Sequence, residues 1–186
     1  MATIVPTLLI TGPVGVGKTT VASEVSELLE AARIAHAFVD IDALRWCYPG
    51  PPGDRFRAGL ALRNLAAIWP NFAACGATRL VLADVLEDRA ELAGYQRALP
   101  GAAITVVRLR AAPETLAARV ARRELGAGLE WHLARARELA ARMDARPVED
   151  LLVETEGRGV RAVAEEIVRR AGWLSPAAAP PPPAPG

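Results

Sequence analysis

Two rhythms of apolar and polar positions alternate along this chain. Short apolar runs at residues 7–11, 36–41 (HAFVDI), 79–85 (RLVLADV), 103–109 (AITVVRL) and 151–155 have the length and composition of buried strands. Between them the apolar positions recur at helical spacing. Over residues 18–32, Val21, Val25, Leu28 and Leu29 fall on one helix face. Over residues 54–75 the period runs through Phe56, Leu60, Leu65 and Ile68, and Pro70 is expected to break or kink that helix. At this spacing Phe56 and Trp69 read as core residues. Further helices are predicted near residues 89–99, from Pro113 to about residue 124, over 130–143 and over 160–171. Pro113 suits a first helical turn, where no N–H is needed, and Leu125-Gly-Ala-Gly128 interrupts the helix it opens. Strands alternating with helices predict an α/β fold: a five-stranded parallel sheet with helices on both faces. Ligands of such sheets sit beyond the carboxyl ends of the strands.

Composition narrows the function. The 186 residues are 52% hydrophobic, enough for one full core. One domain is expected over residues 1–174, with a Pro/Ala-rich disordered tail over 175–186. The net charge of +1 gives no basic field for nucleic acid or an anionic membrane. Cys47 and Cys75 form no CxxC and read as reduced thiols, and His36 and His132 lack zinc-ligand spacing. The apolar start carries no basic n-region and runs into a glycine loop, so it reads as a first strand and not as a signal peptide. No uncharged apolar run is long enough to span a membrane. A cytoplasmic protein is expected, monomer or homodimer.

The charge inventory holds one oddity. Lys18 is the single lysine among 22 Lys and Arg residues. It lies in Gly12-Pro-Val-Gly15-Val16-Gly17-Lys18-Thr19-Thr20, which fits G-x-x-x-x-G-K-T. Such a loop turns its N–H groups toward phosphate oxygens, and the following helix presents its positive N-terminus. Lys18 would bridge β- and γ-phosphates, and the Thr19 hydroxyl would ligate Mg²⁺. Asp84 ends the third apolar run, where it would hold Mg²⁺ opposite Thr19, or cap the next helix. Asp40 and Asp42 end the second run. Read as strand positions i and i+2, they share a face. With Arg45 they form D-x-D-x-x-R: a carboxylate to take the proton of an acceptor hydroxyl, and a guanidinium to grip an acceptor anion. Alternatively Asp42 caps the next helix.

These segments resemble the small P-loop kinases of metabolites and nucleotides. Val39-Asp-Ile-Asp42-Ala-Leu-Arg45 is similar to a segment of adenylylsulfate kinases, and residues 38–44 and 80–86 resemble chloramphenicol phosphotransferase. The likeness extends over most of residues 7–171. It implies a three-layer P-loop NTPase fold with a short helical lid near residues 119–130, and ATP and Mg²⁺ as cofactors. It further implies that Asp42 is the base, that Arg119 stacks on adenine, and that Arg122 or Arg123 stabilises transferring phosphate. A solvated surface helix is the plain alternative for those arginines. Gly157, in Thr155-Glu-Gly-Arg-Gly159, would border the adenine or only make a turn. The aromatic and arginine-rich stretch after Asp42, including Arg57, falls where such kinases bind the acceptor, a small molecule or nucleotide. The implied function is transfer of the γ-phosphoryl group of ATP to that acceptor. The alternatives are an ATP-binding or ATPase switch protein without an acceptor, and an inactive ATP-binding partner.

Overall fold

The computed structural model describes residues 4–54, 56–123 and 126–174; the expected tail, together with Arg55 and Leu125, lies outside the described residues. Five strands form one parallel sheet: β1 (Val5–Thr11), β2 (Ala37–Asp40), β3 (Leu80–Ala83), β4 (Ala102–Arg110) and β5 (Leu151–Glu154). Their order is β2-β3-β1-β4-β5. Six α-helices connect and flank them: α1 (Lys18–Ala31), α2 (Ala58–Ala74), α3 (Leu92–Ala98), α4 (Pro113–Arg123), α5 (Leu129–Ala145) and α6 (Val160–Arg170).

Period-2 alternation sends each strand's side chains to two separate apolar layers. On one face Leu8, Ile10, Val81, Val107 and Leu109 pack with Val25 and Leu29 of α1 and Ile167 and Val168 of α6. On the other, Leu9, Leu80, Leu82 and Val106 pack with Leu65 of α2 and with Tyr95 and Leu99 at α3. Strands covered on both sides read as unbroken apolar runs, and all four residues of β3 are buried.

The predicted alternation of elements matches this architecture, with three local differences. The second helix begins at Ala58 and continues through Pro70. Leu65 is fully buried and Ile68, Trp69 and Phe72 pack against the core on both sides of the proline, so tertiary packing holds a turn that local chemistry opposes. Phe56 precedes that helix and is exposed, so it is not the core residue its spacing suggests. The second strand stops at Asp40, and Asp42 lies in a 3-10 turn over Ile41–Arg45. The D-x-D pair is therefore not two strand positions.

β4 carries a residue that an apolar reading of its run overlooks. Arg108 is buried, with its guanidinium 2.8 Å from Asp144 on α5 and 3.0 Å from Glu149. Glu87, just past β3, pairs with both Arg135 and Arg142 of α5. Thus α5, which follows α4, is tied by these ion pairs to β4 and to the segment after β3, besides its buried Ala136, Leu139 and Met143.

Candidate active site

The glycine loop leaves β1 at the point in the sheet where the connections part, the one from β1 running to β2 on one side and the one from β3 crossing to β4 on the other. Two of its glycines are required sterically. Gly12 has φ 144°, and a Cβ there would stand 2.6 Å from the Leu109 carbonyl oxygen and 2.9 Å from Val16 Cγ1. A Cβ at Gly15 would meet Val120 Cγ2 at 2.8 Å and the Leu116 carbonyl oxygen at 3.0 Å, so the loop is clamped under α4. Gly12→Ala is expected to lower stability by about 1–3 kcal/mol and to weaken ATP binding, read by chemical denaturation and by nucleotide titration. Unchanged values in both would show that the loop yields.

The Lys18 ammonium curls back over this loop and donates to the carbonyl oxygens of Gly12 (3.1 Å) and Pro13 (3.2 Å). Burial lowers its pKa from 10.5 to about 8; Asp42, Asp84 and Asp40 oppose that shift, and Arg123 adds to it. Three carboxylates and one guanidinium therefore stand within electrostatic reach of one ammonium. The sequence placed these residues at three strand ends and one helix, and the sheet order brings them together.

The three carboxylates differ in what occupies them. Asp40 accepts from the Thr19 hydroxyl (2.8 Å) and from the Asp42 backbone N–H (2.9 Å), which caps the 3-10 turn. It is Asp40, and not Asp42, that caps. Asp84 is buried, and its pKa is raised by that burial against the pull of Arg45, the Tyr95 hydroxyl and the Val85 N–H. Its Oδ1 accepts from Arg45 Nη2 (2.7 Å) and from the Val85 N–H (2.7 Å), and its Oδ2 accepts from the Tyr95 hydroxyl. Asp42 is the open one: its carboxylate is 63% exposed and lies 3.4 Å from Arg45 Nε.

Arg45, expected to grip an acceptor, is instead held within the protein. Nη2 meets Asp84, Nη1 donates to the Phe56 carbonyl oxygen at 3.3 Å, and Nε is buried without a hydrogen-bond partner.

On the other side of the loop, Arg119 donates to the carbonyl oxygen of Val16 (3.1 Å) and approaches the Thr155 hydroxyl (3.5 Å). It thus spans from the glycine loop to the turn holding Gly157, which has φ 63°. Glu156 in that turn accepts from the Ala112 N–H (3.1 Å) and the Thr115 hydroxyl (2.8 Å), fastening the start of α4; those two bonds lower its pKa. Arg122 and Arg123 end α4 and are exposed. Arg57 directly precedes α2 and lines a surface cleft with Gly50, Pro51, Gly53 and Asp54; among the described residues no hydrogen bond or ion pair joins it to the group around Lys18. Tyr95 is absent from the sequence reading and Glu156 enters it only within the quoted turn, without a role, because a tyrosine in an amphipathic helix and a glutamate in a turn carry no distinguishing pattern.

Among the described residues no cluster of three or more His, Cys, Asp and Glu could hold a metal by itself. Mg²⁺ keeps several waters and takes one or two protein groups beside substrate phosphates. Thr19 and the carboxylates near it are oxygen donors of the right kind. Among the described residues no helix is long and apolar enough to cross a membrane.

Comparison with known proteins agrees with this geometry. A family model described as an AAA domain matches residues 8–138. A shikimate kinase of Chromohalobacter salexigens is 30% identical over 187 residues, covering 91% of this chain and 94% of its own. Among solved structures, a gluconokinase from Sinorhizobium meliloti 1021 superposes with TM-score 0.61 at 20% identity, over 92% of this chain and 94% of that one. The Mycobacterium tuberculosis APS kinase in complex with AMPPNP and APS gives TM-score 0.58 at 21% identity, over 90% and 98%. These likenesses at low identity establish the shared fold. With the family model spanning most of the chain and the relative matching nearly all of it, the protein belongs to the P-loop family of small-molecule kinases covered by the AAA-domain model.

Proposed function

We propose that the protein transfers the γ-phosphoryl group of ATP, as its magnesium complex, to a hydroxyl of a small molecule. The observation that carries this reading is the convergence of Asp42, Asp84 and Asp40 on the Lys18 ammonium at the mouth of a phosphate-binding loop. Phosphoryl transfer asks mainly for positioning and for charge placed against the transferring oxygens. Lys18 and the N–H groups of the loop, through Gly15, Val16, Gly17 and Thr20, would hold the phosphates. Thr19 and Asp84, with Asp40 bonded to Thr19, would hold Mg²⁺, which when bound neutralises phosphate charge. Arg119 and the turn at Gly157 would receive the adenine. Arg123, or its neighbour Arg122, would close over the transferring group.

The arrangement of Arg45 favours a hydroxyl acceptor over a phosphate or sulfate. An oxyanion acceptor calls for a free guanidinium fork, but both Nη atoms of Arg45 are engaged and its charge faces Asp84 and Asp42. Asp42 retains open lone pairs for a proton, which a hydroxyl can supply and a phosphate dianion cannot. Asp40 and Arg57 would border the acceptor.

ADP release from Mg–ATP, with and without a panel of polyols, hydroxy acids, nucleosides and hydroxylated aromatics, tests the proposal. One class is expected to raise the rate over the background with water. Full-rate hydrolysis that no acceptor stimulates would replace it with an ATPase switch.

A further inference from the structure

Tyr95 stands outside the cleft, on α3, and is 4% exposed among Leu65, Leu86, Leu99 and Val106. A phenylalanine would fill that space equally well. The hydroxyl is an added polar atom in an apolar layer, tolerable only with a partner, and its partner is Asp84 Oδ2.

From Asp84 the contacts continue toward the reacting end. Asp84 Oδ1 holds Arg45 Nη2 at 2.7 Å, Arg45 Nε faces Asp42 Oδ1 at 3.4 Å, and the Asp42 N–H is bonded to Asp40, which accepts from the Thr19 hydroxyl. With donors on both of its oxygens, the Asp84 carboxylate cannot rotate without breaking a bond, and Arg45 is fixed with it. The Arg45 guanidinium in turn attracts the Asp42 carboxylate across that 3.4 Å ion-pair contact. Resting on the kinase reading above, we propose that the Tyr95 hydroxyl is a positioning group for phosphoryl transfer, acting through Asp84 and Arg45 to orient Asp42.

Tyr95→Phe tests this by removing one oxygen. Outer partners of active-site groups typically change activity by about 10- to 100-fold. The expected result is a fall of at least about tenfold in the turnover rate at saturating Mg–ATP, with water or an identified hydroxyl compound as acceptor. A second readout needs no ligand. In the NMR spectrum of arginine Nε–H groups, the Arg45 signal should shift and exchange faster with solvent in Tyr95→Phe. The Arg108 signal, from the other side of the sheet's centre, should not move.

Leu99→Ala, in the same apolar layer and without contact to Asp84, serves as the control for a merely structural role. If it disturbs the Arg45 signal and the rate as much as Tyr95→Phe, the proposal is overturned. An unaltered Arg45 signal or rate in Tyr95→Phe overturns it as well. Failure of the kinase reading shows separately, in the native protein, as absence of ATP binding or as full-rate hydrolysis that no hydroxyl compound stimulates.

Discussion

With alanine in place of Lys18, phosphoryl transfer should fall by about 10²-fold or more, the scale on which removal of a main electrostatic stabiliser acts. The melting temperature should not fall with it. The ammonium contributes two hydrogen bonds, to the carbonyl oxygens of Gly12 and Pro13. Against these stands the sign of its pKa shift. A lysine whose folded pKa is about 8 against an ordinary 10.5 is disfavoured in its charged form by folding. At neutral pH, below both values, it carries its charge in both states, and that full penalty weighs against the folded one. Alanine removes the penalty together with the bonds. On the proposed function, the residue therefore serves the phosphates and not the fold. ADP release and a thermal melt on the same preparation decide the matter. A variant with native transfer rate would remove Lys18 from the mechanism, and a variant that unfolds would give it a structural part instead.

Asp42→Asn should lower the transfer rate by about 10²- to 10⁴-fold, the range for loss of a positioned general base, while ATP affinity measured by titration stays near native. The choice among three aspartates rests on occupancy. Asp40 is taken by Thr19 and the Asp42 N–H, and Asp84 by Arg45, Tyr95 and Val85. Among the described residues Asp42 makes one ion pair, with Arg45, besides acting on the Lys18 charge, and its carboxylate is largely exposed. Asparagine keeps the shape and the contact region but cannot take a proton. Asp40→Asn, by contrast, should affect Mg–ATP binding before it affects proton removal, because Asp40 is the group bonded to Thr19. If Asp42→Asn turns over at the native rate, the base lies elsewhere and the hydroxyl-acceptor argument weakens with it.

The architecture was legible because its signals are local. Each strand is an apolar run, each helix a stripe at period 3.6, and the glycine loop a contiguous motif lying between a strand and a helix. Pro70 misled because its effect on helix continuity depends on the layer beneath it, where Leu65 and the residues near Trp69 are seated. Phe56 misled because the period of α2 was extended backward past Ala58, its true start. Asp42 was misplaced by two residues' worth of strand, since the sequence does not mark where β2 yields to a 3-10 turn.

By itself, the sequence marked the residues proposed for the donor side of this protein: a lone lysine in a glycine loop, a threonine after it, and acidic residues where strands end. These follow from chain neighbours, which sit near one another whatever the rest of the fold does. The tertiary structure alone decided how those groups are divided. Arg45 and Asp84 lie 39 positions apart and meet only because β2 is hydrogen-bonded to β3 in the sheet. Their pairing, and the Tyr95 hydroxyl behind it, turns an arginine that looked free to bind an acceptor into part of the wall, and leaves Asp42 as the open carboxylate. No spacing along the chain records that, because sheet order is a property of packing across the whole core.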